Sequence, residues 1–251
     1  IRQCQSEKNL YYNQPGRFLV GDAGDPDAGP IFFPLSRAKV AKAGSNAAAL
    51  VNRYGAYRKL VRKFYGQVFG RLRRQVVLVD LLTALQQGHE SFADMALAVR
   101  TITEAFEDLK NPLFKMLPFG QVDRLALVAT KADHVTADQL NNLVGLLRDM
   151  IGEAFVQANA RQSGLLAVAS VRSTTEAMRK FDGASFPFLT GVQKGDGPDA
   201  IEVCPGVIPG QIPGAGNWHD LFEIRAFDPP RLAAAPARPL PHINLDKVLQ
   251  F

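Results

Sequence analysis

The sequence predicts an α/β protein with a doubly wound, mostly parallel sheet, a helical insertion and small β additions near the C-terminus. Three short apolar runs carry this prediction: Val76 to Asp80, Leu125 to Ala129 and Leu165 to Ser170. Such runs are typical of parallel strands that are buried on both faces. Between them lie segments with apolar residues at helical spacing, which favour right-handed crossovers between successive strands.

The composition divides the chain of 251 residues into three predicted parts. Residues 1–73 hold an irregular segment and a basic amphipathic helix, which Ser45 or Asn46 is placed to cap. Residues 74–175 form the predicted α/β core. Residues 176–251 form a predicted extension of strands and loops.

The first of these parts is strongly basic. Between Ala28 and Val79 there is no Asp or Glu, whereas eleven residues are Lys or Arg: Arg37, Lys39, Lys42, Arg53, Arg58, Lys59, Arg62, Lys63, Arg71, Arg73 and Arg74. A helix over residues 47–74 therefore carries a positive face, which suits an anionic membrane surface or an acidic protein partner. An ordinary solvated face is the alternative. Nucleic acid is disfavoured as a partner because the aromatic residues of this helix fall at core spacing.

Within the predicted core, the strand that ends at Asp80 is followed by a predicted loop containing Gln86 and Gln87. Ser91 with Asp94 resembles a capping box, so a helix is expected to begin there. That helix leads to the second strand, and the spacing predicts one apolar face along it.

The second strand is followed by another predicted helix. Thr136 with Gln139 forms a second capping box. Apolar residues then recur at helical spacing from Leu140 to Phe155, which predicts one continuous helix before the third strand.

The C-terminal part consists of short apolar pieces separated by Gly and Pro. Pro187 to Val192, Ala200 to Cys204 and Phe222 to Phe227 predict antiparallel or edge strands. Arg231 to Pro241 is rich in Pro and Ala and predicts a linker. The apolar residues between Ile243 and Phe251 predict a terminal helix that docks on the body of the protein.

The strongest functional signal is the tetrapeptide TKAD, Thr130 to Asp133, which follows the second strand without a spacer. Ligands of open parallel sheets bind at the carboxyl ends of the strands. TKAD resembles the N/T-K-x-D motif of P-loop GTPases, whose aspartate accepts hydrogen bonds from guanine while the lysine packs along the base. We expect Asp133 to read guanine, with Thr130 and Lys131 completing the base site. A helix cap at Asp133 and an ordinary surface lysine at Lys131 are the alternatives.

Two further strand ends supply candidate residues. Asp80 closes the first strand, where P-loop NTPases place the Walker B aspartate that holds Mg²⁺ through water; a helix cap is the alternative. Ser170 and Val171 follow the third strand, in the position of the GTPase loop whose backbone N–H meets the guanine oxygen. In the loop after Asp80, Gln86 or Gln87 is a candidate for positioning a hydrolytic water.

No G-x-x-x-x-G-K-[ST] phosphate loop occurs in the sequence. We therefore expect such a loop upstream of Ile1, and nucleotide hydrolysis depends on it. Cys4 and Cys204 lie outside any C-x-x-C spacing, so neither a disulfide framework nor a zinc site is indicated. With no long apolar run and no leader, the protein is expected in the cytoplasm, or peripheral to the inner membrane if the basic helix binds lipid.

Four segments together resemble the YcjX-like P-loop proteins, which are bacterial stress-associated NTPases: QPGRF (Gln14 to Phe18), RQVVLVDLL (Arg74 to Leu82), ATKADHVT (Ala129 to Thr136) and RPLPHINLD (Arg238 to Asp246). The resemblance implies a Ras-like nucleotide core and a phosphate loop before the region seen here. It also implies a helical insertion, a cytoplasmic location and a link to the envelope-stress response. The leading hypothesis is a P-loop NTPase that prefers GTP, uses Mg²⁺ with it and, when complete, switches or hydrolyses slowly. The alternative function is a membrane-surface or partner-binding scaffold that hydrolyses no nucleotide.

Overall fold

The computed structural model describes most of the chain from residue 72 onward and part of the region before it. The described ranges are 48–59 without 50, 53 and 57; 72–108; 122–230 without 196, 215, 217 and 219–223; and 240–251. The chain divides into two compact units. Among the described residues, the second unit holds 48–59 and 72–73, and the first unit holds the rest. The predicted boundaries at residues 73 and 175 stay predictions.

Parts of several predicted features lie outside the described residues. These include most of the basic helix, residues 109–121 before the second strand, and residues 231–239 of the Pro/Ala linker. In the second unit, every described position of 48–59 is helical. Tyr54 of this segment is 46% exposed, and the guanidinium carbon of Arg58 lies 6.0 Å from the centre of its ring.

The first unit is built on a parallel sheet. Its three described strands are β1 (Arg74–Val79), β2 (Arg124–Ala129) and β3 (Ser163–Ala167), and β2 lies between the other two. Val79 pairs with Ala129, so β1 and β2 end side by side. The parallel α/β fold predicted from the three apolar runs is confirmed.

Helices connect the parallel strands. α1 (Leu81–Gln87) and α2 (His89–Asp108) join β1 to β2, and α3 (Leu140–Ile151) and α4 (Glu153–Ala158) join β2 to β3. The larger core lies between one face of the sheet and these helices. Its members are all buried and apolar, and they include Val79, Leu82, Phe92, Val99, Phe106, Leu125, Leu127, Leu143, Leu147 and Met150.

The opposite face of the sheet has a smaller cover. Its buried residues are Ala126, Val128 and Val168. The last helix, α5 (Leu245–Gln250), packs Leu245 and Val248 against them, and Phe251 directly after it does the same, whereas Leu249 is exposed. An isolated antiparallel bridge between Ala169 and Ile243 holds the chain in place just before this helix. The predicted docking of a terminal helix on the body is confirmed. With the crossover helices on one face and α5 on the other, β2 is shielded from water on both faces.

The predicted loop containing Gln86 and Gln87 is wrong, because both residues lie in α1. The helix begins directly after β1, where the side chain of Asp80 accepts a hydrogen bond from the Thr83 N–H and caps the first turn. α1 ends at Gly88, whose φ of 100° is accessible to glycine and costly for other residues. A short helix therefore occupies the position where sequence reasoning placed a loop.

Neither predicted capping box begins an α-helix at the predicted residue. Ser91 lies inside α2, and its hydroxyl donates to the side-chain oxygen of Gln87 at 2.9 Å. Gln139 donates from its amide to the Thr136 hydroxyl at 3.1 Å, and a single 3₁₀ turn separates Thr136 from α3. The predicted helix over Leu140–Phe155 is also interrupted, because α3 and α4 are separated at Gly152.

The C-terminal part adds an antiparallel sheet. Its strands are β4 (Thr175–Phe181), β5 (Ala184–Val192) and β6 (Ala200–Val203), with β5 in the centre. The predicted antiparallel pairing is confirmed for β5 and β6. β4 was not predicted, because nearly all of its residues near the hairpin are exposed and no alternating burial pattern marks it. Within the predicted strand 222–227, Phe227 forms an isolated bridge with Gln193.

Candidate functional site

The carboxyl ends of the three parallel strands meet at one edge of the sheet. The Thr130 N–H donates to the Val79 carbonyl at 3.0 Å, and the Val168 N–H donates to the Ala129 carbonyl at 2.8 Å. The Ala132 N–H then donates to the Val168 carbonyl at 3.2 Å. These bonds fix the TKAD segment to both neighbouring strands, at the place where open parallel sheets bind ligands.

Asp133 is the most closely held residue of this segment. It is 4% exposed, and its Oδ2 accepts a hydrogen bond from the Ser173 N–H at 2.7 Å. Its Oδ1 lies 3.2 Å from Nδ1 of His134. The hydroxyl of Thr174, itself buried, donates to the main-chain carbonyl of Asp133. Both the side chain and the backbone of Asp133 are therefore oriented by the segment that follows β3.

These contacts keep Asp133 ionised. Burial acts to raise the pKa of Asp133, but the hydrogen bonds from His134 and from the Ser173 N–H outweigh it. The pKa therefore lies below the ordinary value of an aspartate. A buried carboxylate in this state accepts hydrogen bonds and donates none at neutral pH.

The tautomer of His134 follows from its partners. Its Nε2 lies 3.3 Å from the backbone nitrogen of Phe227, and a backbone N–H can only donate. Nε2 is therefore the unprotonated nitrogen of the neutral ring, and Nδ1 carries the proton that is donated to Asp133. The Phe227 ring packs against the imidazole at 5.5 Å between centroids. His134 thus connects Asp133 to a segment far along the chain.

Lys131 adopts a left-handed backbone conformation, with φ of 60°. Its Nζ lies 2.7 Å from Oδ2 of Asp80 and donates to the Thr83 hydroxyl at 2.8 Å. The Thr83 hydroxyl in turn donates to the same Asp80 oxygen at 2.8 Å. The structure therefore brings two predicted site residues together, Asp80 from the end of β1 and Lys131 from the end of β2.

This arrangement bears on the predicted magnesium role of Asp80. Its carboxylate already receives two hydrogen bonds from Thr83 and an ion pair from the Lys131 ammonium. A positive charge at 2.7 Å opposes the approach of a second cation. In the part of the chain that the structure describes, no group of three or more His, Cys, Asp or Glu residues is placed to hold a metal ion. The Lys131 ammonium and Thr83 are the partners of the Asp80 carboxylate in this structure, and its predicted magnesium role through water stays a prediction.

A sequence profile of the YcjX-like family, DUF463, matches residues 1–251. The chain belongs to the YcjX-like family. It is 38% identical over 267 residues to the Ras-like GTPase YcjX of Escherichia coli K12, an alignment that covers 100% of this chain and 56% of that protein. It is 31% identical over 260 residues to the Ras-like GTPase YcjX of Shewanella oneidensis, covering 97% of this chain and 53% of that protein. The chain thus spans about half the length of the curated relatives it matches.

In this YcjX-like chain, the loop after β3 contacts the TKAD segment through residues that sequence reasoning missed. Ser170 and Val171 were predicted, whereas Ser173 and Thr174 supply the hydrogen bonds to Asp133. No pattern in the sequence marks them, because the chain continues past the end of β3 in a bridge between Ala169 and Ile243 before it reaches Asp133. Ser170 itself is exposed. Its predicted role in base binding, with that of Val171, stays a prediction.

Among the described helices of this YcjX-like chain, none combines the length and the apolar character needed to cross a bilayer. The residues predicted to meet a membrane surface lie largely outside the described part of the chain.

Proposed function

We propose that the complete protein binds guanine nucleotide in preference to adenine nucleotide and hydrolyses GTP slowly, and that this chain supplies the base-reading part. The observation that carries the proposal is Asp133, an oriented carboxylate of lowered pKa that follows the central strand β2. The printed names of both relatives, Ras-like GTPase, point in the same direction.

Asp133 has the acceptors that guanine requires. An ionised carboxylate offers about four lone-pair sites on its two oxygens. Ser173 and His134 occupy two of these sites, which leaves acceptors for the N1–H and the 2-amino group of guanine. Each such charge-assisted hydrogen bond contributes about 1.5–3 kcal/mol. Adenine presents an acceptor at N1 and has no 2-amino group, so the carboxylate would repel it.

The neighbouring residues have proposed parts in the same site. The stem of Lys131 would pack along the base, and Thr130 would hold the turn through its N–H bond to Val79. Backbone N–H groups at Ser170 and Val171 would face the guanine oxygen. Mg²⁺ is proposed to accompany GTP, as in other phosphoryl-transfer enzymes, and we assign no residue of this chain to the ion.

The base assignment is tested by Asp133→Asn in the full-length gene product. Asparagine replaces one acceptor with an amide donor, which matches the additional carbonyl of xanthine and mismatches guanine. We expect the parent to bind GDP more tightly than ADP, and the variant to lose GDP affinity by about tenfold or more while gaining affinity for XDP. Competition against a fluorescent GDP analogue measures all three nucleotides.

Asp138→Asn is the matched control for this experiment. Asp138 is an exposed carboxylate in the 3₁₀ turn just before α3, so its neutralisation changes net charge by the same amount. It is expected to leave nucleotide preference as in the parent. An unchanged preference for guanine in Asp133→Asn would overturn the assignment.

The basic region supports a second candidate function. A helix over 47–74 without any acidic residue suits an anionic lipid surface or an acidic partner, which would place the protein peripheral to the inner membrane. Co-sedimentation with vesicles containing phosphatidylglycerol tests this proposal, with neutral phosphatidylcholine vesicles as the control. Equal recovery with both vesicle types would exclude the lipid surface. A cytoplasmic location and a part in stress response likewise stay predictions.

A further inference from the structure

We infer that Asp80 is a positioning residue for Lys131: it holds the lysine of the base site in place through a ring of contacts with Thr83. The inference rests on the proposed function, because it concerns the same guanine site. It gives Asp80 a different role from the magnesium ligation predicted from its position after a strand. Three observations support it: the register of the strands, the closure of the hydrogen bonds, and the charges involved.

The register brings the two residues together. β1 and β2 are adjacent and parallel, and Val79 pairs with Ala129, so the residues that follow each strand lie side by side. The left-handed conformation of Lys131 turns its side chain across to the end of β1. A lysine rarely adopts this conformation, and it persists where surrounding contacts hold it.

The hydrogen bonds form a closed ring. Lys131 Nζ donates to the Thr83 hydroxyl, and that hydroxyl donates to Asp80 Oδ2, which also faces Nζ. The second oxygen, Oδ1, accepts from the Thr83 N–H at the start of α1. Each nitrogen and hydroxyl group therefore donates and each carboxylate oxygen accepts. These bonds attach the Asp80 carboxylate to the first turn of α1.

The charges and the exposure indicate what the ring does. The side chains of Lys131 and Asp80 are 42% and 40% exposed, and an ion pair at such a surface contributes little to stability. The ion pair instead restricts the rotamers of Lys131. Without it, this long side chain would lose more conformational entropy when a nucleotide binds. With Nζ fixed, the aliphatic stem is held next to the TKAD turn before a base arrives.

Asp80→Asn tests the inference in the full-length gene product. Asparagine remains a good helix cap and removes the charge that holds Lys131. We expect GDP to bind about tenfold more weakly to Asp80→Asn. The loss should be the same in Mg²⁺ and in EDTA, since the effect passes through the base site. A loss confined to Mg²⁺ would overturn the inference in favour of the metal role.

A double-mutant cycle separates positioning from a merely structural effect. Lys131→Gln removes the group that Asp80 holds, so Asp80→Asn should add no further loss of GDP affinity in its presence. Additive losses would overturn the inference. Asp138→Asn, the exposed carboxylate in the turn before α3, serves again as the control for net charge.

A second measurement does not need nucleotide. Acetylation of Lys131 by an amine-reactive reagent, followed by mass spectrometry, should be faster in Asp80→Asn than in the parent because the ammonium is released. Equal rates would overturn the inference. If the parent binds no GDP while the acetylation rates differ, the proposed function fails and the held lysine stands; if the parent binds GDP and the variant matches it, only this inference fails.

Discussion

The two sheets of the first unit differ in how they are covered. In the parallel sheet, every residue of β2 from Leu125 to Ala129 is buried. In the antiparallel sheet, Met178, Phe181 and Phe186 are 58%, 57% and 43% exposed. Here the crossover helices cover one face of the parallel sheet and α5 packs on the other, whereas an antiparallel hairpin can leave a face exposed to water. The predicted site lies at the carboxyl end of the covered sheet, where hydrogen bonds join the TKAD segment to both neighbouring strands.

The antiparallel sheet nevertheless supports the site where it touches the TKAD region. Oε2 of Glu176 in β4 accepts a hydrogen bond from the Ala137 N–H at 2.8 Å. Phe227, bridged to the end of β5, donates its backbone N–H to His134. One end of this sheet is therefore the exposed hairpin, and the other end contacts the predicted nucleotide site.

The largest expected effect is on the core of the parallel sheet. Leu127→Ala removes a side chain that is 1% exposed, and we expect a loss of about 2–5 kcal/mol in the free energy of unfolding. Met178→Ala, in the exposed hairpin, is the matched change and should cost no more than about 0.5 kcal/mol. Urea unfolding of both variants measures the difference. Equal losses would show that the two sheets are covered alike.

A smaller effect is expected where the sheets meet, at Gly191. A Cβ there would lie 2.8 Å from the Phe227 ring and 2.9 Å from the Ser173 carbonyl. Gly191→Ala should therefore destabilise the protein by about 1–3 kcal/mol, and it should also disturb the Ser173 N–H bond to Asp133. Gly214→Ala, where a Cβ meets open space, is the control. Thermal unfolding of the two variants checks the prediction, which a stable Gly191→Ala protein would contradict.

His134 offers a comparison between two polar replacements. Asparagine can keep an N–H near the position of Nδ1, whereas glutamine extends toward the position of Nε2. His134→Gln leaves Oδ1 of the buried Asp133 without its donor, so it should cost about 1–2 kcal/mol of unfolding free energy. His134→Asn should retain most of the stability. The reverse order in urea unfolding would mean that the contact with Phe227 is the more important one.

The smallest expected effect is on the pH dependence of stability. The folded pKa of Asp133 lies below its unfolded value of about 3.9, so Asp133 stabilises the fold above about pH 4. This contribution is lost as the pH falls through the folded pKa. The unfolding free energy of Asp133→Asn should therefore fall less steeply than that of the parent below about pH 4. Parallel curves for the two proteins would exclude the linkage.

Local patterns were sufficient for the elements but not for their ends. The apolar runs predicted the positions of β1, β2 and β3, because a continuous apolar run is typical of a parallel strand. The expected burial on both faces is confirmed for β2 and is wrong for β1, where Val76 and Leu78 are 40% and 68% exposed. α1 was missed because its short apolar face follows a strand directly, and β4 was missed because its exposure removes any alternating pattern. Tertiary contacts override such local preferences, and the ends of elements depend on them most.

The sequence by itself determined the parallel sheet, the placement of TKAD at the end of its second strand and the resemblance to the YcjX-like family, because each depends on short segments that can be recognised locally. Only the tertiary structure decided which groups meet there. Ser173 binds Asp133 across 40 positions of sequence, and Phe227 reaches His134 across 93. Lys131 meets Asp80 because two parallel strands pair in one register. Such contacts follow from strand register and long-range packing, which no local pattern encodes.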